Sequence, residues 1–156
     1  MEKSMRSQTI NHTLTTGFFG GVFWSMIWIL VYVFNFTIVS PKSFLLRSWI
    51  KAEWTETFLG DVITILMSGF ISIGVALLYY LFLKKIQSIL AGIFYGIVLW
   101  AIAFYILKPM FPQNPSINEL PFNTIVTTLS LFIIYGIFIG YSISYDYEQA
   151  QAKYSN

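Results

Sequence analysis

The sequence predicts an all-α membrane protein, a compact bundle of four transmembrane helices with an interfacial amphipathic helix in the first extracytoplasmic loop, and three observations predict it. Apolar residues make up 56% of the chain and charged residues only 10%, with a mean hydropathy of +0.68, a composition that prefers hydrocarbon to water. The charges are bunched, leaving uncharged windows at 7–41, 62–83, 86–107 and 120–145, each long enough for the ~20 residues that cross a bilayer core. Glycines four apart recur inside these windows, as GFFGG at 17–21, GIFYG at 92–96 and GIFIG at 136–140, although a helical glycine costs about 1 kcal/mol relative to alanine. Lipid gives helices no hydrophobic reason to associate, so small residues at this spacing matter by letting backbones approach.

The first span is placed at residues 15–36. Its apolar run is too long for a cleavable signal and lacks a small-residue cleavage site before charge returns, so it is expected to stay as an anchor. The next segment, SPKSFLLRSWIKAEWTETF at 40–58, has Ser40 to cap, Pro41 for a first turn, and Leu46, Trp49, Ile50 and Trp54 on one helical stripe. It is expected to form a helix over about 41–57 lying at headgroup depth, where Trp and basic residues concentrate. Spans two and three are placed at 60–83 and 88–107, joined by a short turn with adjacent Lys84 and Lys85. The loop KPMFPQNPSINELPFN that follows holds Pro109, Pro112, Pro115 and Pro121, so it should be extended and stiff. The last span is placed at 122–145, and the whole chain, 1–156, reads as a single integral membrane domain without a soluble module.

Orientation follows the basic residues of short loops. Lys3, Arg6, Lys84, Lys85 and Lys153 fall on the side of the termini, against Lys42, Arg47, Lys51 and Lys108 on the other. The tight Lys84–Lys85 turn tips this near balance toward cytoplasmic termini.

Because alternate helices run in opposite directions, Gly17, Gly20 and Gly21, Gly92 and Gly96, Gly74, and Gly136 and Gly140 are all expected in the half nearest the termini, where the bundle should be pinched. The helix-packing pairs are Gly17 with Gly21, Gly92 with Gly96, and Gly136 with Gly140. At 100° per residue, Gly17, Gly21, Trp24, Ser25, Trp28, Tyr32 and Asn35 share one face of the first helix, and Asp61, Thr64, Ser68, Ser72 and Ala76 one face of the second. Polar groups then gather in the opposite half: Asn35, Asp61, Thr64, Asn123, Thr124, Thr127 and Thr128. They would line a hydrated cup open to the outside. The plainer reading is that the hydroxyls bond back to their own helices and Asp61 favours a helix N-terminus. GFFGG with Trp24 also resembles GIFYG with Trp100, and ISIGVALLY at 71–79 resembles IFIGYSISY at 137–145, a hint of two similar hairpins.

Chemistry-bearing residues are sparse. The chain has no cysteine, and its lone His12 lies outside the spans, so thiol nucleophiles, disulfides and thiolate metal sites are excluded. No Ser-His pair, no paired carboxylates within a span and no cluster at metal-ligand spacing is present in the sequence. No catalytic residue, cofactor, metal or nucleic-acid partner is expected. A phosphate loop is excluded because no strand precedes the glycines and no Lys-Ser/Thr follows them.

The strings GFFGGVFW, NFTIVSP, GDVITILMSGFISIGVALLYY, AGIFYGIVLW and TIVTTLSLFIIYGIFIGYSISYDY span all four helices, and together they resemble the YqhR family of conserved membrane proteins of Bacillus and its relatives. The first dozen residues and the tail after Tyr147 lie outside that resemblance. It implies a multi-pass protein of the bacterial plasma membrane and offers no catalytic or binding residue to carry over. Three functions stay open: a non-enzymatic scaffold or accessory subunit for membrane partners; a small-solute or lipid carrier acting as a dimer; and a membrane enzyme built on Asp61 with Glu53 or Glu56. The expected partners are membrane lipids and either another membrane protein or a second copy of the chain. The scaffold leads, since no charged residue lies deep in a span, where proton-coupled transport needs one.

Overall fold

The computed structural model describes residues 2–112 and 114–155, and among the described residues every regular element is helical. Four helices are long and apolar enough to cross a membrane: Ser4–Val33, Phe58–Leu83, Ile89–Ile106 and Phe122–Lys153. One of them overlaps each of the four expected spans. The complete elements are α1 (Glu2–Val33), α2 (Pro41–Leu45), α3 (Phe58–Leu83), α4 (Ile89–Ala101, continued by a π turn over Ile102–Ile106) and α5 (Phe122–Ser155). The first and last helices thus run past the apolar windows. Thr9 and Thr13 carry α1 through its polar start by donating their hydroxyls to the Met5 and Thr9 carbonyls.

The end holding both chain termini and the Lys84–Lys85 turn is the terminal end; the other is the loop end. α1 packs chiefly on α3 and α5, and α5 chiefly on α4 and α1, so the order across the bundle is α3, α1, α5, α4. Two glycine contacts set the close pairs. A Cβ on Gly17 would stand 2.8 Å from the Ala76 Cβ, and one on Gly92 would stand 2.7 Å from the Ile137 Cα, well inside the ~3.5–4.0 Å of a relaxed carbon contact. Gly21 meets Ser72 and Gly69, Gly136 meets Gly92 and Gly96, and Gly96 meets the α5 backbone at Phe132 and Ile133. The Gly17/Gly21 pair of α1 therefore seats on the Gly69, Ser72, Ala76 stripe of α3, and the Gly92/Gly96 pair of α4 on Gly136 and Gly140 of α5.

Gly74 departs from the expected pinch, because a Cβ there would meet nothing within 4 Å. It is two residues from both Ser72 and Ala76, so at 100° per residue it lies on the far side of α3 from the buried stripe. Gly69, which shares that stripe, holds the place instead. The hint of two similar hairpins also fails to hold in register: the sequence match aligns Gly74 with Gly140, yet Gly140 faces the Tyr79 ring and Gly74 faces outward.

α1 ends in a motif that relocates one expected interior residue. Asn35 has φ 60°, its N–H donates to the Tyr32 carbonyl at 3.0 Å, and the Phe36 N–H reaches the Val31 carbonyl at 2.9 Å. This is a Schellman termination, in which asparagine substitutes for the usual glycine because its short polar side chain tolerates the left-handed region. Asn35 is thus an exposed helix stop rather than part of an inward face.

The continuous interfacial helix expected over 41–57 is not formed. The segment is the single turn of helix α2, capped by the Ser40 hydroxyl accepting from the Lys42 N–H at 3.2 Å, then turns, an extended stretch and a 3-10 turn over Glu53–Glu56. Phe44 and Leu46 are both buried, and residues two apart point to opposite sides of a helix. Burying both requires the helix to end between them. Of the proposed stripe, only Leu46 faces inward; Trp49 stays 63% exposed and Ile50 and Trp54 lie on the surface.

Candidate functional site

The polar residues assigned to the outer cup come to the loop end, but the chain's own first loop covers them. Past Asn35 the irregular segment of residues 37–40 crosses the end of the bundle, tied to α1 and α5 by two hydrogen bonds and braced by a third of its own. The Ile38 N–H donates to the Thr124 hydroxyl at 3.1 Å, the Trp28 indole donates to the Val39 carbonyl at 2.9 Å, and the Val39 N–H donates to the Thr37 hydroxyl at 3.1 Å. Phe44 then drops between Trp28, Phe104 and Phe111, with ring centroids 5.0–5.6 Å apart. With Val39, Phe104 and Leu120 it forms an apolar plug. The π turn contributes by bringing Phe104 inward, stacked on Trp100.

An ion pair fastens the rim of this cap. The Lys42 ammonium lies 2.9 Å from the Asp61 carboxylate, with side chains only 16% and 25% exposed, and also reaches the carbonyls of Glu56 and Thr57. Arg47 pairs with Glu56 further out. Under Thr55 lies Gly60, another glycine absent from the expected set, whose missing side chain leaves room for the Thr55 backbone.

The cup residues therefore have separate duties. Thr124 accepts from the cap backbone, and Thr128 accepts from the Trp100 indole at 3.0 Å while donating to the Thr124 carbonyl at 2.7 Å. Thr64 is fully buried and its hydroxyl makes no hydrogen bond. Asp61 belongs to the ion pair, Thr127 is half-buried, and Asn35 stands outside in its turn. Among the described residues, these side chains line no shared open hollow.

The polar interior lies instead among tyrosines in the half nearer the termini, which residue patterning overlooked. Tyr79, Tyr80, Tyr95 and Tyr135 are buried with Ala76, Ile139 and Ile143. The Tyr95 hydroxyl donates to the Val75 carbonyl at 2.6 Å, the Tyr135 hydroxyl pairs with the Ser72 hydroxyl, and the Trp24 indole donates to the Leu131 carbonyl at 2.9 Å. The signal was depth: Tyr95 and Tyr135 sit mid-span, where a phenol facing hydrocarbon would lose its partner. Tyr105, Tyr141 and Tyr145 lie near span ends and are exposed, as interfacial tyrosines are.

Chemically, this arrangement ties helices together. Among the described residues no group of three His, Asp or Glu side chains could hold a metal ion. Glu53 and Glu56 line one hollow beside Arg47 that Asp61 does not share, and Asp61 and Glu56 are engaged by Lys42 and Arg47 respectively.

A family model described as conserved membrane protein YqhR matches residues 1–156. The match includes both ends, which the resemblance in the sequence had left out. A curated relative, the uncharacterized protein YqhR of Bacillus subtilis (strain 168), is 42% identical over 138 residues, covering 88% of this chain and 77% of that protein. No solved structure matches.

Proposed function

Because the chain belongs to the YqhR family of conserved membrane proteins, we propose that it works in the bacterial plasma membrane as a non-enzymatic scaffold or accessory subunit, with both termini in the cytoplasm. One observation carries this reading. Most of the polar residues that a carrier would keep for a solute are engaged within the chain: Asp61 by Lys42 and Thr124 by the Ile38 N–H fasten the loop-end cap, and Thr128 accepts from the Trp100 indole between α4 and α5. Glycine-mediated contacts in both helix pairs make the core close-packed, which suits a rigid platform. The surface offered to a membrane partner is the cap itself, where Trp49, Ile50 and Trp54 remain exposed beside Arg47 and Lys51. Aromatic and arginine side chains of this kind anchor protein interfaces.

The test is in-cell crosslinking from a photoreactive residue replacing Trp49, with one replacing Phe23 as a lipid-facing control. The scaffold reading expects a discrete protein adduct at Trp49, absent at Phe23 and weakened when Asp61→Asn loosens the rim of the cap. Lipid adducts alone at both positions would count against it. The alternative, a small-solute or lipid carrier acting as a dimer, would need the cap to lift, and would show solute flux in vesicles that Asp61→Asn alters.

A further inference from the structure

The polar residues at the start of α5 divide between two faces. Thr124 and Thr128 are buried with Leu131 and Tyr135 on the face turned to the bundle. Asn123, Thr127 and Ser130 follow one another at steps of four and three, a separate stripe turned toward lipid, which Ile134 and Tyr141 continue. Asn123, Ser130, Ile134 and Tyr141 are exposed and Thr127 is partly so. Depth makes this stripe costly. At 1.5 Å per residue Ser130 lies about 12 Å below Phe122, where α5 begins, near the middle of a hydrocarbon core of about 30 Å. Among the described residues no other serine or threonine is exposed in the middle of a span.

The side chains of Asn123, Thr127 and Ser130 make no hydrogen bond with another described residue, whereas the hydroxyls of Thr9, Thr13, Thr15 and Thr128 return to carbonyls of their own helices. Lipid offers no partner, so polar groups at this depth are satisfied by another transmembrane helix. The chemistry of the stripe selects a second copy of the chain. Copies inserted in one orientation and related by a two-fold axis along the membrane normal bring each stripe residue against itself at equal depth. Amides and hydroxyls both donate and accept, so all three residues are self-complementary. Toward the termini the same stripe reaches Glu148, which would meet its own like charge. Helices crossing at about 20° and touching at Ser130 have diverged by Glu148, about 27 Å further along α5.

We propose that the protein is a homodimer in the membrane, joined along the loop-end half of α5 by Asn123, Thr127 and Ser130 facing the same residues of a second copy. Hydroxyl-to-hydroxyl hydrogen bonds at Thr127 and Ser130 supply the partners that lipid lacks. The interface uses none of the cap residues Trp49, Ile50 and Trp54, so it holds whether or not the cap binds another protein.

Because the chain has no cysteine, full-length single-cysteine variants can be oxidised with copper phenanthroline in native membranes and separated without reductant. A disulfide needs Cα atoms within about 7 Å. Ser130→Cys and Thr127→Cys should give a band at twice the monomer mass. Leu66→Cys and Phe94→Cys, exposed positions of α3 and α4, should give none. In vesicles, energy transfer between fluorescent fusions, followed as lipid is added, reads the dissociation constant. Ser130→Ala should raise it about three- to twentyfold, the range of one interhelical hydrogen bond in lipid, and Phe94→Ala should leave it unaltered. The Ser130→Ala melting midpoint in detergent checks that the fold is intact. Monomer alone at both Thr127→Cys and Ser130→Cys, or equal dimer at all four cysteine positions, would overturn the proposal. So would a crosslinked band containing a different protein, or a dissociation constant that Ser130→Ala does not change.

Discussion

Adding one methyl group at Gly136 should damage the bundle, whereas adding it at Gly74 should not. A Cβ on Gly136 would lie 2.7 Å from the Gly96 Cα, and the atoms it meets belong to the α4 backbone, which has no rotamer to change. Restoring a contact of ~3.5–4.0 Å requires α4 and α5 to separate by about 1 Å. That separation would disturb the neighbouring Gly92 contact with Ile137, so the cost falls in the overpacking range of about 1–3 kcal/mol. At about 2–4 °C per kcal/mol for a chain of this size, Gly136→Ala should melt several degrees below the unaltered protein. At Gly74 a Cβ meets nothing within 4 Å, and alanine gains up to about 1 kcal/mol of helix propensity. Gly74→Ala should melt at the same temperature or slightly higher. The assay is thermal aggregation in detergent, with both variants purified alongside the unaltered chain. Matching midpoints for Gly136→Ala and Gly74→Ala would refute the assignment of one glycine to a helix contact and the other to lipid.

Trp28→Phe keeps an aromatic ring but orphans the Val39 carbonyl, whose residue is 1% exposed; an unsatisfied buried acceptor costs about 1–3 kcal/mol, so its melting midpoint should fall by several degrees, and an unchanged midpoint would mean that water replaces the indole. Lys42→Ala removes a partly exposed ion pair of about 1 kcal/mol or less together with its contacts to the Glu56 and Thr57 carbonyls, so global stability should change little while proteolysis within residues 42–57 becomes faster; equal cleavage rates would show that the plug alone holds the cap. A reporter fused to the C-terminus should read cytoplasm and one inserted beside Asn114 should read exterior; the reverse pattern would overturn the charge argument built on Lys84 and Lys85.

The four spans were legible because charge avoidance over about twenty residues is a local property, and Lys84 and Lys85, Lys108 and Glu119 mark their borders directly. Glycine spacing was legible too, but partner choice depended on helical phase. Gly74 falls on the wrong side of the stripe Asp61, Thr64, Ser68, Ser72 and Ala76, so its exclusion could have been read from the same face that was drawn correctly. Asn35 was misplaced for a related reason: it follows the last apolar residues of α1 at the spacing of a helix stop, and the local turn outweighs the extrapolated face. The cap was not legible. Ser40, Pro41 and a stripe of large apolar residues argue locally for a helix, but the Phe44 contacts with Phe104 and Phe111 and the Lys42 pairing with Asp61 come from distant parts of the chain. Such contacts have no signature in a short window. The same holds for Tyr79, Tyr95 and Tyr135, whose hydroxyls find partners or pockets only when α3, α4 and α5 are brought together.

The loop end is closed by the cap rather than open to water. Because the chain has no cysteine, single cysteines can be read in intact cells with a membrane-impermeant thiol reagent, which needs water to form the reactive thiolate. Thr64 lies at 0% exposure beneath the cap and Trp49 at 63% on its surface. Trp49→Cys should label rapidly and Thr64→Cys should not label, unless Lys42→Ala is added to loosen the rim. Labelling of Thr64→Cys in the otherwise unaltered chain, at a rate comparable to Trp49→Cys, would contradict the closed bundle and make a water-filled cup its resting state.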